Sequence, residues 1–384
     1  MNAIELLDLI SKGETSMVQF KLNINNEQSI AQEMVAFANT NGGIILIGID
    51  DKSWEIVGLS DNDLRRLSNL LVNASSQHVK EPIFIETETV DYEGKKILVV
   101  TIPEGIAKPY KDNDGIIFMK NGANKRKVTS NEEISRLLQS SGYLYAEEKV
   151  IVQSSIDDIN IEKFKSFYEG KYKEVIASNN VENYLENLRL LSDGKITIVG
   201  ALLFGEKVEK LIPAFFITAI WFRGNNITNT EYRSSKNLSG TIDELYSEGY
   251  DFIVSKLDSI QAGQSFNSIG KLEIPEIVVT ELLVNALIHR DYFINDSIKI
   301  FVFDNRIEIT SPGKLPNSLT EEQVRKGVRR TRNNIIASFA PDILEYRGAG
   351  SGVLRALQAY PAIEFINDVE GEQFKVIIPR PQKD

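Results

Sequence analysis

The chain has 384 residues, of which 42% are hydrophobic, and a formal net charge of −11. This length predicts two or three compact units rather than one small domain. The absence of cysteine excludes disulfides and thiolate metal sites, and the presence of only two histidines excludes a histidine-rich zinc site.

The composition also indicates the compartment and the kind of partner. The first residues, MNAIELLDLISKGE, lack the basic start and long apolar segment of a secretion signal, and no later run reaches the roughly 18 apolar residues of a membrane span. We therefore expect a cytoplasmic protein without a membrane partner. An acidic chain does not coat nucleic acid indiscriminately, so binding to nucleic acid requires local basic patches.

Residues 1–142 are predicted to form one α+β domain. Its helices are expected at 3–10, 29–39, 61–72 and 131–139, and its strands at 17–22, 44–49, 83–90, 96–102 and 115–120. Near its end lies a basic patch that is open to two interpretations, a phosphate-binding surface or an ordinary solvated face. The patch consists of Lys108, Lys111, Lys120, Lys125, Arg126 and Lys127.

Residues 143–272 are predicted to form a connecting α/β region, with helices at 160–168, 181–188 and 241–256 and strands at 196–203 and 214–222. Residues 273–384 are predicted to form a further α/β domain. Its order is a helix, strands at 297–303 and 306–310, a Pro312-Gly313 turn, a basic helix, a glycine loop, a helix and a final hairpin. Helices on one face of an antiparallel or mixed sheet fit this order.

The segment ELLVNALIHRDY, residues 281–292, carries the strongest functional signal. Glu281, Asn285 and His289 recur every four residues and form one polar stripe on an otherwise aliphatic helix. Such a stripe faces either water or a ligand, because burying unpaired polar groups is costly. His289 has two possible roles, pairing with Asp291 or contacting a phosphate.

Downstream motifs favour a nucleotide. GAGSG, residues 348–352, opens onto an apolar helix, where backbone amides and the helix N-terminus suit phosphate oxygens, although such a turn taken alone is more often a plain connection. The Asn285 amide oxygen is a ligand that suits Mg²⁺, and Glu281, one turn earlier, is placed to polarise a water molecule.

In combination, Glu281, Asn285, the Pro312-Gly313 turn and Gly348, Gly350 and Gly352 resemble the GHKL ATPases. The fuller pattern ELLVNALIHRDY, FDNRIEITSPGKLP, RRTRNN and EYRGAGSGV resembles the C-terminal region of RecG-related predicted transcriptional regulators. The resemblance implies a GHKL-like α/β sandwich that binds ATP with Mg²⁺, with Glu281 as the catalytic residue and Asn285 as the metal ligand. The remaining nucleotide contacts expected from it are His289, Asp304, Pro312, Gly313, Arg332, Gly348, Gly350 and Gly352.

This sequence departs from the GHKL pattern where the base is read. Adenine is normally recognised by an aspartate in a DxGxG turn, and the corresponding turn here is Thr310-Ser311-Pro312-Gly313. Asp304 lies one strand earlier. The departure leaves adenine selectivity open, and a Walker A lysine loop, which a helicase motor requires, is absent from the sequence.

The segments GETSMVQFK (13–21), EMVAFANTNGGIILIGIDD (33–51) and IVGL (56–59) resemble the Schlafen AlbA-like domain. That resemblance implies nucleic-acid binding, DNA more than RNA, and the candidate phosphate contacts are Lys21, Lys120, Lys125, Arg126 and Lys127. Some Schlafen relatives are RNA endonucleases that hold a metal with two glutamates and an aspartate. Here Glu14 is present and Asp50 or Asp51 could be the third ligand, but Gln19 replaces the second glutamate, which argues against nuclease activity.

Three functions are therefore considered. The first is a nucleic-acid-binding regulator, expected to be a homo-oligomer, in which ATP binding to the C-terminal domain alters DNA binding or oligomerisation. The second is an enzyme, either an ATPase or a Schlafen-like nuclease acting in phage defence. The third is an assembly scaffold that is indifferent to nucleotide.

Overall fold

The computed structural model describes residues 1–177, 180–228, 231–260, 270–316, 319–344 and 351–381. The chain divides into two compact units, Met1–Leu144 and Tyr145–Asp384. It is a mixed α/β protein, as the sequence predicts, and no helix in these ranges is long and apolar enough to span a membrane.

The first unit is built on a sheet with strand order β1-β2-β4-β3, in which β1 and β2 run parallel and the other neighbours antiparallel. A separate hairpin, β5-β6, packs against α2. The helices are α1 Ala3–Lys12, α2 Glu27–Asn39, α3 Asp61–Gln77 and α4 Asn131–Ser140. The strands are β1 Val18–Lys21, β2 Gly43–Ile47, β3 Glu86–Tyr92, β4 Lys95–Ile102, β5 Phe118–Asn121 and β6 Asn124–Lys127.

The turn between α2 and β2 explains part of the AFANTNGG motif. Asn39 is 1% exposed, and its amide donates to the carbonyls of Tyr110 and Phe118 while its oxygen accepts from the Tyr110 backbone N–H at 2.7 Å. Gly42 has φ +70°, and a Cβ on Gly43 would lie 2.6 Å from the Met17 carbonyl oxygen. Close packing of this helix-to-strand turn thus requires these residues for the fold itself.

The described residues of the second unit form a six-stranded mixed sheet with strand order β10-β9-β13-β14-β16-β15. Strands β9 and β13 are parallel and the other neighbours antiparallel. The helices are α5 Ile161–Tyr172, α6 Val181–Asn187, α7 Ile198–Phe204, α8 Val208–Leu211, α9 Ile242–Val254, α10 Glu276–His289, α11 Glu321–Arg325, α12 Asn334–Ile343 and α13 Gly352–Ala359. The strands are β7 Leu191–Ser192, β8 Lys195–Ile196, β9 Ile217–Phe222, β10 Tyr232–Leu238, β11 Ser259–Ile260, β12 Lys271–Leu272, β13 Ile298–Val302, β14 Arg306–Pro312, β15 Glu364–Asp368 and β16 Gln373–Pro379.

Segments on both sides of residue 272 build this sheet, because β9 and β10 precede it and β13 to β16 follow it. One hydrophobic core runs from Ala146 to Ile378. The expected division between residues 272 and 273 thus falls inside a single compact unit.

Two elements of this unit differ from the sequence prediction. The strand expected at 196–203 is wrong, because Ile198–Phe204 is helical, and the Thr197 side chain caps it by accepting from the Gly200 backbone N–H at 3.1 Å. The expected basic helix is the short α11, which begins with Glu321 and Glu322, while Arg329 to Arg332 lie in an irregular segment after it.

Candidate functional site

Helix α10 positions the polar stripe inside the second unit. Its apolar residues, from Val278 to Ile288, are buried against the sheet and the helices α9 and α13. Glu281 is 1% exposed, whereas Asn285 and His289 are only partly buried. The stripe is therefore not a solvent face along its whole length: its first residue is covered and the next two border open space.

The covered residue, Glu281, is held by helix α13. Arg355 donates through Nη2 to Glu281 Oε1, and the other carboxylate oxygen has no hydrogen-bond partner among the described residues. Burial raises the pKa of Glu281, while the neighbouring Arg355 guanidinium opposes this rise. The carboxylate also lies against Gly352, where an added Cβ would be 3.0 Å from Glu281 Cδ.

The side-chain amide of Asn285 uses its nitrogen within the helix and leaves its oxygen available. Its Nδ2 donates to the Glu281 backbone carbonyl at 2.7 Å, one helical turn earlier. With Nδ2 so assigned, Oδ1 has no hydrogen-bond partner among the described residues. An amide oxygen without such a partner is available to a ligand or a metal ion.

His289 is surrounded by positive charge. Burial first, and then the Arg332 and Arg329 guanidinium groups, lower the pKa of His289 to about 4, so the imidazole is neutral at pH 7. Its Nδ1 has no hydrogen-bond partner within the described ranges. Asp291, the alternative partner considered above, instead accepts from the Phe293 backbone N–H at 2.9 Å and lies 3.9 Å from Arg332 Nε.

The Pro312-Gly313 turn is fixed against the end of α10. The Asp291 backbone N–H donates to the Pro312 carbonyl at 2.8 Å. Gly313 has φ +101°, and a Cβ there would lie 2.6 Å from Asp291 Cβ and 2.7 Å from Arg332 Nη1. Arg332 in turn donates to the His289 carbonyl at 3.2 Å and to the Lys314 carbonyl at 2.9 Å. Glycine is therefore required at residue 313 by both space and conformation.

These elements border a pocket of about 780 Å³, measured to include its open mouth. Its lining is mostly apolar, and its basic side chains are Lys314, Arg329, Arg330 and Arg332. The lining also includes Leu282, Asn285, Ala286, His289, Ile309, Ser311, Gly313, Leu315, Pro316, Leu319, Val324, Val328, Val353, Phe365, Phe374 and Val376.

The pocket brings together four of the predicted nucleotide contacts: Asn285, His289, Gly313 and Arg332. Pro312 does not line the pocket but precedes Gly313, which does. Gly352 begins α13 and contacts Glu281 rather than lining the space. Gly348 and Gly350 lie outside the described residues.

The structure does not bring Asp304 to this group. Asp304 follows β13 at the end of β14 opposite to Gly313, where it pairs with Arg233 at 2.9 Å and accepts from the Gly224 backbone N–H at 2.9 Å. Strand β14 spans seven residues, so roughly 20 Å separates its two ends.

Sequence reasoning did not assign Ser311, Lys314, Arg329 and Arg330 to the nucleotide site. Ser311 stands in the turn where an adenine-reading acid was expected, and its hydroxyl donates to the Ala286 carbonyl at 3.1 Å. The two arginines were visible as part of a basic run, but a charge run alone does not indicate which surface it borders.

The pocket residues fit a nucleotide phosphate chain and, in part, its metal ion. Basic side chains suit the phosphates, and Asn285 Oδ1 would supply one neutral ligand to Mg²⁺. The described residues contain no cluster of three acidic or histidine side chains that could hold a metal unaided. A metal ion here would therefore take most of its ligands from the nucleotide phosphates and from water.

In the first unit, Lys120 is buried and acts within the fold. Its Nζ donates to Gln19 Oε1 at 3.1 Å and to the Ala123 carbonyl at 2.7 Å, and it lies 4.6 Å from the Phe37 ring centroid. Glu33 lies 3.6 Å away. Burial lowers the pKa of Lys120, an effect that Glu33 opposes. A side chain that is 0% exposed cannot reach a phosphate from this position.

The other predicted phosphate contacts differ in availability. Lys125 pairs with Glu33 at 3.1 Å, and Arg126 pairs with Glu133 through both of its terminal nitrogens. Lys127 is exposed and Lys21 is partly buried, and neither forms an ion pair with a described residue. Lys127 is thus the most available of the five.

Of the residues considered for a nuclease metal site, Glu14, Gln19 and Asp50 have structural partners instead. Glu14 accepts from the Phe20 backbone N–H at 2.8 Å, and Gln19 accepts from Lys120. Asp50 caps a turn by accepting from the backbone N–H groups of Lys52 and Ser53. The Gln19 side chain thus binds the ammonium group of Lys120, and this positive charge disfavours a divalent metal ion at the same position.

Two family models match the chain. Residues 14–129 match the family described as Schlafen, AlbA_2, and residues 295–378 match the family described as Putative ATP-dependent DNA helicase recG C-terminal. These matches confirm the two resemblances found in the sequence. The first lies inside the first compact unit, and the second covers β13 to β16 and most of the pocket lining.

Among curated proteins, the chain is 23% identical over 180 residues to an uncharacterized ATP-binding protein of Ureaplasma parvum serovar 3. The alignment covers 44% of this chain and 49% of that protein, so the chain spans about half the length of this relative.

Two solved structures are among the matches. A protein of Corynebacterium diphtheriae is 18% identical with a TM-score of 0.47, covering 99% of this chain and 80% of that one. The N-terminal domain of a RecG-related protein from Nitrosomonas europaea is 22% identical with a TM-score of 0.25, covering 34% of this chain and 96% of that one. With both TM-scores below 0.5, neither likeness bears on function.

Proposed function

We propose that this protein, which combines a Schlafen AlbA_2 domain with the C-terminal domain of RecG-related proteins, is a nucleic-acid-binding regulator controlled by nucleotide. ATP, with Mg²⁺, binds in the pocket of the second unit. Its presence changes how the first unit binds DNA or how the protein associates into a homo-oligomer. We propose the cytoplasm as its compartment, because the chain has no cysteine and therefore forms no disulfides.

One observation carries the nucleotide half of this proposal. Asn285 and His289 line a mostly apolar pocket whose basic side chains are Lys314, Arg329, Arg330 and Arg332. Apolar lining residues suit a nucleotide base, and basic side chains suit its phosphates. The matched ATP-binding relative supports the same ligand class.

The contacts behind the pocket support a regulatory role. Arg332 and its neighbour Asn333 bond to backbone carbonyls at the end of α10, with Asn333 Nδ2 donating to Ile288 at 2.8 Å and to Arg290 at 2.9 Å. Helix α12 begins at the next residue. A ligand that draws Arg332 toward a phosphate would therefore act directly on the start of α12.

Helix α12 is in turn tied to the beginning of the second unit. The buried Glu147 carboxylate accepts from the backbone N–H groups of Ile335 and Ile336 at 2.8 Å each. Phe339, on the same helix, stacks on Phe167 at a centroid distance of 5.3 Å. Glu147 follows the last residue of the first unit, Leu144, by three positions. We propose that this series of contacts carries the effect of nucleotide toward the AlbA_2 domain.

Calorimetric titration with ATP, with and without Mg²⁺, tests the nucleotide half. We expect wild type to bind, and Asn285→Ala to bind at least tenfold more weakly when Mg²⁺ is present. Asp304→Asn is the matched control, because it changes a residue once expected in the site but located at the far end of β14, and it should bind as wild type does.

Absence of binding by wild type would end the proposal, as would equal affinity of wild type and Asn285→Ala with Mg²⁺. A parallel titration with GTP measures base selectivity. Because Ser311 stands where a carboxylate would read the adenine amine, we expect less than tenfold preference for ATP.

A further inference from the structure

The contact between Glu281 and Arg355 joins the nucleotide-pocket helix α10 to helix α13. The Glu281 side chain is 2% exposed and the Arg355 side chain 31% exposed. The Arg355 Nη2 group donates to Glu281 Oε1, while Arg355 Nε has no hydrogen-bond partner among the described residues. The pair is therefore held through one end of the guanidinium group rather than by a two-pronged contact.

This contact separates Glu281 from the pocket. Leu282 and Asn285, which follow Glu281 on the same helix, border the space, whereas Glu281 does not. Its second oxygen faces the start of α13 at Gly352. In this arrangement the carboxylate is buried, paired with a cation and turned toward a neighbouring helix, so it is not placed to accept a proton from a water molecule in the pocket.

The chemistry that such a contact would prevent is well defined. In ATP hydrolysis a water oxygen bonds to the γ-phosphorus, the bond from that phosphorus to the bridging oxygen of ADP breaks, and the water proton passes to a base. The products are ADP and inorganic phosphate. A positioned general base typically accelerates such a step by about 10²- to 10⁴-fold, so the location of the Glu281 carboxylate has a measurable effect on the rate.

We propose that Arg355 is a positioning residue that holds Glu281 away from the nucleotide pocket, so that bound ATP is retained without being hydrolysed. This inference rests on the proposed nucleotide site. Such a site would sense ATP, because the ATP-bound state lasts until the nucleotide dissociates. It also explains why Glu281, which lies where the sequence predicts a catalytic base, faces Gly352 rather than the pocket.

The test measures phosphate release at saturating Mg·ATP after calorimetry has established binding for each variant. Arg355→Met keeps the apolar stem of the side chain and removes the cation, so Glu281 loses its partner with little change in packing. We expect its rate of phosphate release to exceed that of wild type by at least tenfold. Arg355→Lys restores a cation and should return the rate to that of wild type.

Two further variants separate this effect from a general disturbance. The double variant Arg355→Met with Glu281→Gln should lose the gain, because the released group is no longer a base. Arg189→Met removes a cation from a more exposed ion pair, with Glu148 on the surface of the second unit, and should leave the rate unchanged. If Arg355→Met does not fold, Arg355→Gln is used in its place.

The proposal is overturned if variants lacking the Arg355 cation bind ATP and release phosphate no faster than wild type. It is also overturned if wild type turns over rapidly and loses that activity in Arg355→Met. A wild type that fails to bind ATP in the calorimeter refutes the nucleotide site itself, which distinguishes failure of the proposed function from failure of this inference.

Discussion

The Glu281 carboxylate fills the space beside Gly352, at the point where an added Cβ would lie 3.0 Å from Glu281 Cδ. Gly352→Ala should therefore displace a buried, ion-paired group and lower the free energy of unfolding by about 1–3 kcal/mol. Urea denaturation measures the change. The control is Gly170→Ala in helix α5, where nothing lies within 4 Å of an added Cβ and where alanine should stabilise by up to about 1 kcal/mol. Equal effects at the two glycines would contradict the geometry.

Glu147 predicts a pH dependence of stability. Burial raises the pKa of Glu147 to about 7, against an ordinary value of 4.5. The folded protein thus binds more protons than the unfolded chain between these values, so this group's contribution is complete below pH 4.5 and is lost as pH rises through 7. The loss is on the order of 3 kcal/mol.

Urea denaturation at pH 5 and pH 8 of wild type and Glu147→Gln measures this contribution. Glutamine does not titrate, so the stability difference between the two proteins should change between these pH values by an amount of the predicted order. The comparison isolates Glu147 from other groups that titrate in the same window. A constant difference would show that Glu147 does not titrate there.

The pH dependence of stability due to His289 has the opposite sign to that due to Glu147. Its pKa is lowered to about 4, so the imidazole contributes stability that is present above pH 6.5 and is lost as pH falls toward 4. The chain has only two histidines, so histidine-labelled NMR should give two imidazole signals, assigned with His78→Asn. The His289 signal should remain that of the neutral ring at pH 6. Half-protonation near pH 6.5 would refute the account of its surroundings.

Nucleic-acid binding by the first unit should depend on Lys127 more than on the other predicted contacts, because Lys127 is exposed and unpaired within the described ranges. Loss of one phosphate contact in Lys127→Gln should reduce the slope of log affinity against log salt by about one. Fluorescence anisotropy on a labelled DNA duplex measures this. Lys236→Gln, which removes an exposed charge from the second unit, should leave the slope unchanged. The same slope for Lys127→Gln and wild type would remove Lys127 from the interface.

The sequence predicted the helix that carries the site better than the orientation of each side chain on it. Spacing of four residues places Glu281, Asn285 and His289 on one face, and the last two do line the pocket. Glu281 does not, because helix α13 returns from about 70 residues later and supplies Arg355. Periodicity reports a shared face of a helix but not which later element will cover it.

Two other differences have local causes. The run from Ile198 to Phe204 is apolar throughout and therefore shows neither a period of two nor one of 3.6, so its helical state is indicated only by the capping residue Thr197. Lys120 looked exposed because it is charged, yet it lies on the inward face of β5, where Gln19 and Glu33 compensate its burial. Such compensation by distant residues cannot be read from one segment alone.

The most direct test of the regulatory claim is DNA affinity measured with and without a non-hydrolysable ATP analogue and Mg²⁺, in wild type and in Asn285→Ala. Coupling between two sites usually changes affinity by about 5- to 150-fold. The account predicts that the analogue changes the affinity of wild type by at least fivefold and leaves that of Asn285→Ala unchanged. Analogue binding that leaves both the DNA affinity and the oligomeric state of wild type unchanged would contradict it.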